Sequence, residues 1–100
     1  MAWVIKRRRA APLFIHTSLF MYYTYILRSI NVPTQRYIGH SSDLSQRLQE
    51  HNAGKCPHTS KFAPWEIEWH CVFQQLAQAQ DFERYLKSGS GHAFAARHLR

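Results

Sequence analysis

The tripeptide Tyr37-Ile38-Gly39, with the segment that runs on to His51, constrains this chain more than any other stretch. It reads as a short strand that stops at a glycine, where a backbone or a ligand can approach closely. Ser41, Ser42 and Asp43 follow, and their short side-chain oxygens can accept the orphan N–H groups of a first helical turn. A helix is therefore expected from about Asp43 to Asn52, with Gly54 as its left-handed stop. Leu44 and Leu48 mark its buried stripe. Arg47 and His51 are four apart, share a face, and lie along one border of that stripe, where a cleft would meet water.

The flanking sequence supplies partners for this unit. Tyr22 to Arg28 is rich in residues that suit a pleated surface and predicts a strand, with Tyr23, Tyr25 and Leu27 on one face and Tyr22, Thr24 and Ile26 on the other. Ser29 to Gln35 holds Asn31 and Pro33-Thr34 and reads as a hairpin loop. Arg36 to Gly39 then returns antiparallel, which brings Tyr25 and Tyr37 near each other. Lys55 to Pro64 reads as a loop, and the partial alternation of Glu66 to Phe73 as a third strand. A second helix is expected over about Ala77 to Ser88 with Gly89 as its stop. A last short one, Gly91 to His98, would carry Phe94 inward. Trp65 and Trp69 read as packing residues. The fold class is α/β of the α+β type, a three-stranded antiparallel sheet flanked by about three helices.

Length and charge narrow the function. One hundred residues make one small domain, and no run of about 18 apolar residues is present to span a membrane. The net charge of +7 invites a nucleic-acid or anionic partner. Four of the 13 basic residues fall in 1–20, which has no acid; residues 21–100 carry nine basic against six acidic, leaving +3. Residues 1–20 are expected to be a disordered or poorly packed extension, with Met21 as a natural start. A transit peptide is the competing reading of its Arg-rich, acid-free composition. Cys56 and Cys71 do not make a disulfide framework and read as free thiols in a reducing cytosol.

Glu83 stands out on the second helix. Ala79, Phe82 and Leu86 form the inward stripe, and Glu83 falls between that stripe and Leu76 instead of on the solvated side. A half-buried carboxylate needs a partner. Arg47, Arg84 or Lys87 would make an ion pair; a hard cation such as Mg²⁺, which binds few carboxylates and keeps most of its waters, is the chemical alternative. Arg47 is either an exposed helix arginine or a fork for a phosphate. His51 is either a helix-end histidine or a proton or phosphate contact. Tyr25 and Tyr37 are either core aromatics or phenols that pass a proton.

The order of these residues resembles the GIY-YIG nuclease superfamily across 21–100. Tyr23-Thr24-Tyr25 stands at its first triplet and Tyr37-Ile38-Gly39 at its second. Arg47, His51 and Glu83 stand at its catalytic arginine, its frequent histidine and its metal-binding glutamate. The segments Tyr22 to Ser29, His51 to Lys55, Pro64-Trp65 and Tyr85 to Gly91 are similar to the small, stand-alone bacterial branch. The resemblance implies divalent-metal-dependent endonuclease hydrolysis of nucleic acid, DNA first, in the cytoplasm. Glu83 would hold one Mg²⁺ or Mn²⁺, Arg47 would neutralise transition-state charge, Tyr25 or Tyr37 would assist the attacking water, and His51 would support a hydroxyl or a phosphate oxygen. The first triplet lacks the family's glycine and isoleucine, and no asparagine follows Asn52. With no attached DNA-binding domain, specificity would be poor or come from a protein partner. The competing reading is an accessory module that binds nucleic acid without cleaving it. A zinc site from Cys56, His58, His70, Cys71 and His51 has the right residue types but not a zinc-finger spacing.

Overall fold

A computed structural model describes residues 3–5 and 21–100 of the chain. In chain order its elements are β1 (Trp3–Ile5), β2 (Tyr22–Ser29), β3 (Arg36–Ser41), α1 (Leu44–Asn52), α2 (Pro57–Ser60), β4 (Trp65–Phe73), α3 (Leu76–Leu86) and α4 (Gly89–His98). The sheet order is β1-β4-β2-β3 and every pairing is antiparallel. The three strands expected from the sequence are joined by a fourth. Trp3–Ile5 pairs with His70 to Val72 along the outer side of β4, where unpaired backbone groups accept another strand. Three residues are too few to show a period of two, which is why this strand was not legible. The rest of the expected extension, 1–2 and 6–20, lies outside the described residues.

The alternation along β2 sorts the core into two layers, as its sequence predicts. Tyr25 and Leu27 point to one face and pack with Leu44 and Trp65, with Tyr37 and Leu48 at the margin. Ile26 points to the other and packs with Trp69, Cys71, Phe73, Ala79 and Leu86. Helix α1 covers part of the first face; α3 and α4 cover the second. Thr24, fully buried on the α3 side, satisfies its hydroxyl by donating to the Ala79 carbonyl at 2.8 Å. Both cysteines are free thiols, and burial pushes the Cys71 thiol up to about 12. No helix among the described residues is long and apolar enough to cross a membrane.

Local chemistry explains the ends of α1. Asp43 is its N-cap, accepting from the Gln46 N–H at 3.0 Å, and Gly54 closes it at φ 77°. Elsewhere three expectations are corrected. The 55–64 segment is not all loop: Pro57 at a first helical position starts the single turn α2, too short for any periodic signal. Gly89 does not stop the second helix but begins α4, whose cap is Ser88, accepting from the Gly91 N–H at 3.1 Å. Phe94 does not face inward; it is 38% exposed. The cause is Gly91, where an added Cβ would lie 1.8 Å from the Tyr85 carbonyl oxygen. That close crossing sets Gly91, Ala95 and Leu99 as the contact stripe and leaves Phe94 at its side, against the rings of Tyr85 and His98.

Candidate active site

Among the described residues strand β3 is an edge of the sheet, and Gly39 on it stands directly opposite Tyr25. A Cβ at position 39 would fall 2.7 Å from the Tyr25 phenolic oxygen and 3.0 Å from the Tyr37 ring. The glycine is therefore required for space. It lets the Tyr25 ring lie flat across the edge strand, with its hydroxyl directed toward α1. Tyr25 and Tyr37 come together as expected, with ring centroids 6.4 Å apart.

His51 meets both tyrosines. Its ring lies 4.7 Å from that of Tyr37, and its Nε2 is 3.3 Å from the Tyr25 hydroxyl. The sequence put His51 on the border of a cleft; the structure puts it inside, with no exposure. The turn α2 closes over it and supplies Thr59, whose Oγ1 is 2.8 Å from Nδ1. The Thr59 hydroxyl donates onward to the Cys56 carbonyl. This settles the tautomer: Nδ1–H donates to Thr59, and the lone pair of Nε2 accepts from Tyr25. Burial, aided by the Arg47 charge, lowers the His51 pKa and keeps the ring neutral. Burial likewise pushes the Tyr25 phenol up to about 12, with Arg47 acting against the rise and the charge of Glu83 adding to it.

Arg47 reaches the rim of this group. Its Nη1 donates to Glu50 at 2.9 Å, and that bond, with the nearby Tyr25 phenol, raises its pKa further above the ordinary value. It is a permanent cation, half in water, beside a buried phenol.

Glu83 approaches the same edge from the α3 side. Its side chain is 18% exposed, and both oxygens are engaged. His40 Nδ1 lies 2.5 Å from Oε1, and Lys87 Nζ donates to Oε2 at 2.7 Å. Burial works to raise the carboxyl's pKa, but Lys87 and His40 outweigh it and the net shift is downward. The carboxylate is ionised and accepts only, so the His40 proton sits on Nδ1. Of the three partners the sequence offered, Lys87 is the one used; Arg47 turns to Glu50 and Arg84 to Asp81.

The structure thus assembles Tyr25, Tyr37, His51 and Arg47 on one side of β3, and Glu83 meets the other side of that strand through His40. His40 and Thr59 were missed. His40 alternates with Gly39, so the strand period showed that it faces away from Tyr25 but not that α3 lies there; Thr59 had no signal. Beside the site an open depression is lined by Tyr23, Ser42, Ser45, Leu48, Ile67 and His70. Among the described residues no three His, Cys, Asp or Glu side chains group to hold a metal. A lone carboxylate suits a small hard cation that keeps its waters and takes further oxygens from a phosphate.

No curated protein matches the chain. The sequence pattern of the GIY-YIG catalytic domain matches residues 21–94. That span takes in β2, β3, β4, α1, α2, α3 and half of α4, including both tyrosines, Arg47, His51 and Glu83. The chain belongs to the GIY-YIG nuclease superfamily, whose members act on nucleic acid and generally use a divalent metal.

Proposed function

We propose that this domain is an endonuclease that hydrolyses phosphodiester bonds in nucleic acid, DNA first, with one Mg²⁺ or Mn²⁺ held by Glu83. The observation that carries the reading is the buried string Tyr25–His51–Thr59, which ends beside a cation at a sheet edge. A polar string of this kind inside a small core is costly as architecture and useful as a proton path.

In this reading the attacking water is held by the Tyr25 phenol. As the water's oxygen bonds to phosphorus and the P–O3′ bond breaks, the water's proton passes to Tyr25 Oη while the phenol's own proton passes to His51 Nε2, and the leaving 3′ oxygen takes a proton from solvent. Thr59 holds the imidazole in the tautomer that can accept. Burial and the Arg47 charge disfavour the imidazolium, so the ring returns its proton through Tyr25 to solvent after the bond is cut. Arg47 donates to the phosphate oxygens as negative charge builds on them. Tyr37 helps fix the imidazole by packing a tilted ring against it. A bound metal supplies Lewis-acid polarisation of the phosphate. Glu83 fits the role of its protein ligand because its carboxylate is ionised, at the rim, and paired with an exposed lysine that can move. The reading places the protein in the small bacterial branch and in the cytoplasm, where two free thiols persist.

The test separates cleavage from binding. Tyr25→Phe with Arg47→Ala should lose cleavage of duplex and branched DNA by more than a hundredfold while salt-sensitive binding is largely kept. Binding by wild type without cleavage in either metal would favour the accessory-module reading instead.

A further inference from the structure

Glu83 is held at both oxygens, by two residues of opposite character. His40 sits on the edge strand, next to the glycine that admits Tyr25, and its side chain is two-thirds covered. Lys87 caps the end of α3 and its side chain is 53% exposed. A short imidazole two-thirds covered on a strand has few other places to turn, whereas a half-exposed lysine at a helix end can swing away at little cost. We infer that His40 is a positioning residue that aims the Glu83 carboxylate for the metal, and that Lys87 is a tethered counter-ion that the metal displaces. This rests on the reading of Glu83 as the metal ligand.

The geometry separates the two roles. His40 takes Oε1 and thereby fixes the rotation of the carboxylate, leaving Oε2 directed at the Lys87 ammonium. A cation that replaced the ammonium would find that oxygen already aimed. An outer partner that orients a carboxylate ligand in this way is worth roughly 10–100-fold in metal affinity. Lys87 opposes binding, because an incoming cation must break its ion pair and meets its charge. A half-exposed pair of that kind corresponds to about two- to fivefold. Asn is the conservative test at position 40, since its amide carries an N–H donor at the branch position of Nδ1.

The experiment is Mn²⁺ binding to the full chain, followed by calorimetry and by electron paramagnetic resonance, with no nucleic acid present. His40→Ala should weaken binding at least about tenfold, and His40→Asn should restore most of it. Lys87→Met should tighten binding about two- to fivefold. Electron spin-echo spectra of the Mn²⁺ complex should show no directly coordinated nitrogen. Direct ¹⁴N coordination would make His40 a ligand and overturn its positioning role, as would equal affinity in His40→Ala and wild type. Weaker binding in Lys87→Met would overturn the counter-ion role. Glu83→Gln separates this inference from the one beneath it: undiminished Mn²⁺ binding there would remove Glu83 as the ligand, whatever His40 does. Circular dichroism of each variant checks that the fold is intact.

Discussion

Adding one methyl group at position 39 should do damage out of proportion to its size. In Gly39→Ala the new Cβ would stand 2.7 Å from the Tyr25 hydroxyl oxygen, 2.9 Å from the ring carbon that bears it, and 3.0 Å from the Tyr37 ring. Neither ring has an easy retreat, since Tyr25 is 1% exposed and Tyr37 lies against His51. Overpacking of this kind costs about 1–3 kcal/mol. Moving the phenol also breaks its bond to His51 and strands a buried acceptor, about a further 1 kcal/mol. The expected loss is about 2–4 kcal/mol, from these two terms together. A double-mutant cycle isolates the cause. Tyr25→Phe deletes the closest atom and the hydrogen bond at once, so Gly39→Ala should cost about 1–2 kcal/mol less in that background. Urea unfolding followed by tryptophan fluorescence reads all four proteins. Additivity within about 0.5 kcal/mol, or a neutral Gly39→Ala, would refute the claim that the glycine exists to seat Tyr25.

Three further outcomes follow from the same geometry. His51 has a folded-state pKa below its ordinary 6.5, so below about that pH the unfolded chain takes up a proton that the folded one resists. Stability from this group is complete above pH 6.5 and lost as pH falls toward the folded value; urea midpoints should drop between pH 7 and 5, and less steeply in His51→Gln. Thr59→Val keeps shape but removes the acceptor of a buried N–H, which should cost about 1–3 kcal/mol in the same assay. Gly91→Ala forces a Cβ against a backbone carbonyl that cannot yield, so it should destabilise by about 3 kcal/mol or more and release α4, visible as faster amide exchange over 89–98.

What the sequence made legible was whatever depends on local spacing. The strand, glycine and capped helix from Arg36 to Gly54 are local, and so is the alternation that puts Tyr25 and Leu27 on one face and Ile26 on the other. Glu83 was legible as misplaced because a helical wheel is local too, and its i+4 partner Lys87 followed. His51 was placed on the correct face but at the wrong depth. Its burial depends on α2, a single turn that carries no periodic signal, folding back over the end of α1. His40 needed knowledge that α3 crosses β3, a contact between residues far apart in the chain. Phe94 was misdirected because the inward stripe of α4 is set by a close approach of Gly91 to a carbonyl in the preceding helix, and no hydrophobic pattern encodes that. Sequence periodicity reports which residues share a face; what lies opposite that face is a tertiary fact.

The most direct test of the account is cleavage by wild type and Glu83→Ala on single-stranded, duplex and branched DNA, with Mg²⁺, Mn²⁺ or EDTA. Cleavage by wild type that needs the metal and disappears in Glu83→Ala is the expected result. Equal cleavage by both proteins, or none by wild type with either metal, would contradict it.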